Sequence, residues 1–179
     1  MGDEMTEQVL QSLLLALHNI ALVGCAAAPF YNRALVVQRG QYGAKLSYQL
    51  DKVVEDTLQG NAPYCIAFMS TLWLTGIGMP LMHYAFHGAL RELHVVAMVA
   101  LVVKLVSIAG MMGIMFIIFF RLNPRLRALF AGFSPDAAPK PDDEKEFFAK
   151  RARRKALCET CLKLAVVVLV SSAFLHFGG

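Results

Sequence analysis

Four windows of this chain are too long and too apolar to serve as core strands or helices of a soluble domain. They run from about Val9 to Phe30, Ala62 to His83, His94 to Phe120 and Leu157 to Phe177. A helix needs roughly 20 apolar residues to cross a bilayer, whereas a buried soluble strand needs about 4–8. Backbone polar groups have no water to bond in hydrocarbon, so each window is expected to be helical. Composition agrees: 57% of the 179 residues are hydrophobic, 17% are charged and mean hydropathy is +0.53. Soluble proteins average roughly 45–50% apolar and about 25% charged. A disordered chain, a disulfide-stapled secreted fold and a soluble nucleic-acid binder are excluded on this ground. The residues from Met1 to Glu7 are acidic and lack a basic leader region, so span one is expected to be retained.

The expected fold is all-α: a single integral membrane domain forming an antiparallel four-helix bundle. Its connections cover residues 31–61 and 121–156. Arg33, Arg39, Lys45 and Lys52 lie in the first, and the second carries ten Lys and Arg residues from Arg121 to Lys155. Between spans two and three only Arg91 is basic. The positive-inside rule then places both connections in the cytoplasm and both termini outside, most simply in a bacterial inner membrane. In the first connection, Leu46, Leu50, Val53, Val54 and Leu58 recur at helical spacing from Tyr42 to Leu58, with Lys45, Lys52, Glu55 and Asp56 between them. That pattern predicts an amphipathic interfacial helix between spans one and two. Pro139 to Asp143 breaks the second connection, and a helix beginning there is expected to run through Lys155 into span four. Its basic cluster is either a topology signal or a surface for anionic lipid heads. Pro29 and Pro80 sit near span ends, where a kink or stop is tolerated, and Pro63 suits a first helical turn.

Ionisable residues inside a span are costly and usually face the bundle interior with a partner. His18 in span one and Lys104 in span three are the two candidates. Each lies about ten residues from the outer end of its span, roughly 15 Å at 1.5 Å per residue, so topology brings them to one depth. A neutral imidazole is a common iron ligand, and a desolvated amine can offer its lone pair. The alternative is a hydrogen-bonded core histidine and a lysine lining a polar crevice.

Ala16-Leu17-His18, with Phe30-Tyr31 twelve positions beyond the histidine and then Arg33, resembles the first helix of HemJ-type protoporphyrinogen IX oxidases and the related CopD-type membrane proteins. Lys104-Leu105-Val106 is similar to that family's third-helix motif. The resemblance covers roughly residues 14–112 through a handful of positions. It departs where Asn32 replaces the family's Pro and where Lys104 lies deeper than the family's Lys. It implies a four-helix bundle in which His18 and Lys104 ligate the iron of a b-type haem, and a membrane oxidoreductase acting on a porphyrinogen or exchanging electrons with quinone.

The other four of five histidines gather at the opposite end from the basic connections: His83 and His87 on one helix face, His94 opening span three and His176 closing span four. His83, His87 and His176 form a candidate metal site, and with Met79, Met82 and Met98 nearby copper is the candidate ion. They could instead relay protons. Arg91 and His94 are candidate cofactor-binding residues at the outer rim, Arg91 through carboxylate pairing. Cys25, Cys65, Cys158 and Cys161 fall at the inner end, where a reducing compartment disfavours disulfides and small apolar packing is the expected role. No phosphate-binding glycine loop and no nucleophilic triad stands out. Two readings from other classes remain beside the redox one: a non-enzymatic accessory subunit of a larger respiratory or photosynthetic membrane complex, and a copper-handling membrane protein.

Overall fold

The computed structural model of the chain describes residues 2–43, 45–89 and 94–175. Every regular element among them is helical: α1 (Gly2–Gly40), α2 (Tyr48–Gly60), α3 (Ala62–His87), α4 (Val95–Ile117), α5 (Asn123–Ala131) and α6 (Pro141–Phe174). Four helical stretches are long and apolar enough to cross a membrane. Their outer surfaces are correspondingly oily: Leu74 is 73% exposed, Val106 68% and Val170 55%. Surfaces of that kind are stable against lipid and aggregate in water, so this is an integral membrane four-helix bundle.

Local chemistry sets the helix ends. α3 stops at Gly88, whose φ of 69° suits a residue without Cβ and whose N–H donates to the Tyr84 carbonyl at 2.8 Å. α6 starts at Pro141 and carries Asp142, Asp143 and Glu144 in its first turn, where acidic side chains favour the helix N-terminus. It then runs unbroken into the fourth apolar stretch, as the sequence predicts. Pro63 sits in the first turn of α3, also as predicted. Pro29 and Pro80, by contrast, lie inside α1 and α3, which continue past them. α4 passes into α5 through a π-helical turn, Ile118–Leu122, where the Asn123 N–H reaches back to the Ile118 carbonyl. Pro124 follows immediately; its ring would clash with a normally placed carbonyl four residues earlier, and the widened turn relieves that clash.

α1 packs along α3 and α6, and α4 packs along α6. α3 and α4 make no comparable contact among the described residues. The shared core is built from small or flexible side chains, Ala21, Cys25, Met69, Met111, Cys161 and Ala165 among them. Gly24 marks the closest approach, since a Cβ there would meet the Phe68 ring at 2.5 Å.

The helix between spans one and two differs from its expected form. It begins at Tyr48, after a reversal at Gly43 (φ 100°), and its inward face is Asp51, Val54, Glu55 and Leu58, while Val53 is 63% exposed. The two carboxylates turn inward because buried guanidiniums await them. Arg39 meets Asp51 through Nε at 2.6 Å and Nη2 at 2.8 Å, and Arg151 Nη1 also donates to Asp51. Arg154 clasps Glu55 through Nη1 at 2.8 Å and Nη2 at 2.6 Å. The basic cluster of the second connection is therefore partly internal: Arg151 and Arg154 are buried, and Arg125 pairs with Glu146 at 3.0 Å. Leu126, Phe133 and Phe147 form an aromatic-rich second core beside this network.

Candidate functional site

His18 sits on the inward face of α1 at 7% exposure. Its Nδ1 lies 2.8 Å from Thr75 Oγ1 on α3, and that hydroxyl is itself 2.6 Å from the Thr71 carbonyl. A hydroxyl has one proton, and the carbonyl can only accept, so Thr75 donates to Thr71 and accepts from His18 Nδ1–H. The network thereby assigns the tautomer and leaves the lone pair on Nε2. Nε2 is buried and has no hydrogen-bond partner. A polar nitrogen left without a partner costs free energy in an apolar setting.

The histidine borders the gap that α3 and α4 leave by not packing on each other. A cavity of about 390 Å³ there is lined by His18 of α1, Leu72, Gly76 and Pro80 of α3, Leu101 and Lys104 of α4, and Leu175 beyond α6. Its volume falls in the usual range for small-molecule sites. Three local features keep it open. Gly76 presents no side chain to His18, whose Cε1 lies 3.6 Å from where a Cβ would stand. Pro80 lacks an N–H and leaves the Gly76 carbonyl without its usual helical donor. At the cavity's inner side, Trp73 Nε1 donates to Met112 Sδ at 2.9 Å and spaces α3 from α4. No acidic residue lines the cavity among the described residues. The structure thus brings His18 and Lys104 to one cavity.

The remaining sequence candidates fall elsewhere. His83 and His87 stack at 4.3 Å between ring centroids at the end of α3. Glu7 of α1, which no sequence pattern singles out, lies 3.5 Å from His87 Nδ1 and 3.9 Å from His83 Nδ1. His94 caps α4, its Nδ1 accepting from the Val96 N–H at 3.4 Å, and is not among the residues lining the cavity. Arg91 and His176 lie outside the described residues.

All four cysteines are free and converge from α1, α3 and α6 on a second, much smaller space of about 50 Å³, together with Met69, Met111 and Met115. That volume admits a few waters at most. The Glu7, His83 and His87 trio is the only group of three or more metal-type donors within mutual reach among the described residues.

No family model, curated protein or solved structure matches this chain.

Proposed function

We propose that the chain is a haem-binding membrane redox protein, in which His18 Nε2 and the Lys104 amine would ligate the iron. The observation that carries this reading is the buried, unpartnered Nε2 of a histidine that lines one apolar cavity together with Lys104. Metal-ligating histidines characteristically donate their other ring N–H to a fixed acceptor, and Thr75 fills that role. The donor set also fits: a neutral imidazole is a standard haem ligand, and coordination by Lys104 requires its unprotonated amine. The resemblance of the segments around His18 and Lys104 to HemJ-type oxidases points the same way. A bound b-type haem would supply one-electron exchange at the iron.

The chain's own residues would hold, orient and shield that group. Thr75 fixes the imidazole plane, while Leu72, Leu101 and Ile108 exclude water. Ile77 and Leu105 line the cavity yet remain 56% and 45% exposed, so its wall continues into the lipid-facing surface. An apolar reactant, a quinone or a porphyrinogen, would enter from the bilayer through that side. The charge asymmetry of the connections supports termini on the outer face of a bacterial inner membrane.

The test is the visible spectrum of detergent-purified protein before and after dithionite. A Soret band that shifts on reduction and is lost in His18→Ala supports the proposal. A colourless, folded protein after expression with excess haem overturns it and favours the accessory-subunit reading.

A further inference from the structure

We infer that Glu7, His83 and His87 form a binding site for one divalent transition-metal ion, Zn(II) by preference, where the start of α1 meets the end of α3. One ligand atom from each of the three residues lies within 4.8 Å of the other two. Around a tetrahedral zinc with bonds of roughly 2.1 Å, ligand atoms stand about 3.4 Å apart, so closure needs side-chain movements of about 1 Å. The elements are built to hold that arrangement. His83 and His87 are one turn apart on α3 and present stacked rings, and Glu7 comes from α1, the helix that packs most extensively on α3.

Both imidazole Nδ1 atoms lie near one carboxylate oxygen, Glu7 Oε1, at 3.9 and 3.5 Å, and His87 Nδ1 also lies 3.3 Å from the His83 carbonyl. A divalent ion satisfies all three groups at once. Two imidazoles and one carboxylate suit a borderline ion, and three protein ligands leave a position for water. The side chains are 16% to 51% exposed, so the site is reachable from the aqueous phase. Glu7 is eleven residues from His18 along α1, roughly 16 Å of helix, so this site is separate from the cavity and does not rest on the haem proposal.

The experiment uses the full chain purified through a tag without histidine, stripped with chelator, and titrated with Co(II) while visible absorption is recorded. The expected result is saturation at one ion per chain, with ligand-field bands that Zn(II) abolishes. Glu7→Gln, which keeps size and helix propensity, should weaken binding more than about tenfold, and His83→Ala/His87→Ala should remove it. His18→Ala should bind as the parent does. Helical content of each variant is checked by circular dichroism, and only folded variants are compared. Absence of saturable cobalt bands in the parent chain, or unchanged binding in the folded double histidine variant, overturns the inference.

Discussion

Two buried polar assemblies lie in this bundle, and they differ in the kind of hydrogen-bonding capacity they leave unused. At the loop end, Asp51 accepts from Arg39, from Arg151 and from the Ser47 N–H at 2.9 Å, while Arg39 also donates to the Gly43 and Lys45 carbonyls at 2.8 Å each. Glu55 is clasped by Arg154, and the Asn123 amide oxygen accepts from Arg154 at 3.3 Å. Both carboxylates are paired, while Arg151 Nε and Nη2 and Arg154 Nε have no hydrogen-bond partner, and the network straps α2 to α1 and α6. In mid-bundle, His18 has one nitrogen satisfied and the other bare. The first leaves guanidinium N–H groups, which have no lone pair to offer a metal, whereas the second leaves an imidazole nitrogen that can ligate one. The first assembly reads as architecture and the second as a site.

The comparison breaks most forcefully at Asp51. Asp51→Asn leaves Arg39 and Arg151 buried with an uncompensated charge, and loss of one partner from such a pair costs about 3–5 kcal/mol. Thermal unfolding in detergent should show a large fall, while Asp56→Asn, on the exposed face of α2, should change stability by less than about 0.5 kcal/mol. The same network predicts an acid limb. Burial alone would raise the Asp51 carboxyl, but its hydrogen bonds from Arg39, Arg151 and Ser47 outweigh that and hold it below the usual carboxylate range. A group with a depressed folded pKa contributes stability above its unfolded pKa and loses it as pH falls through the folded one. The unfolding temperature should therefore hold steady from neutral pH to about 5 and fall only in stronger acid. That acid-sensitive contribution should be missing in Asp51→Asn.

A smaller effect is expected at the helix contact that positions His18. Gly24→Ala drives a methyl into the Phe68 ring and should destabilise by about 1–3 kcal/mol, with partial recovery in Gly24→Ala/Phe68→Leu. A similar stability change is expected for Thr75→Val, which leaves the buried His18 Nδ1–H without its acceptor at a cost of about 1–3 kcal/mol. Its effect on the site should be out of proportion: haem retention should fall by about 10- to 100-fold, because the imidazole loses the partner that fixes its tautomer.

Much of this architecture is legible in the sequence because hydrocarbon imposes a simple rule on span length. Counting residues inward from the ends of spans one and three sufficed to bring His18 and Lys104 to one depth. The loop-end network was not legible. Asp51 and Arg151 stand 100 residues apart, and charges on an amphipathic helix are ordinarily taken as its solvated face. A signal was present, however: Phe147, Arg151, Arg154, Cys158, Cys161, Ala165 and Val168 recur at spacings of three and four, so both arginines belong to the buried stripe of α6. Glu7 escaped notice for another reason. It reads as tail charge until α1 is seen to extend the bundle far enough to set it beside His83 and His87.

Chemical rescue tests most plainly the proposal that the His18 imidazole would ligate the iron. His18→Gly protein is reconstituted with haem and its Soret absorption is followed as free imidazole is added. The account predicts a weak or shifted band that returns to the wild-type position and reducibility as imidazole fills the space left by the side chain. A His18→Gly protein with a wild-type spectrum before any imidazole is added, or one that imidazole leaves unchanged, would contradict it.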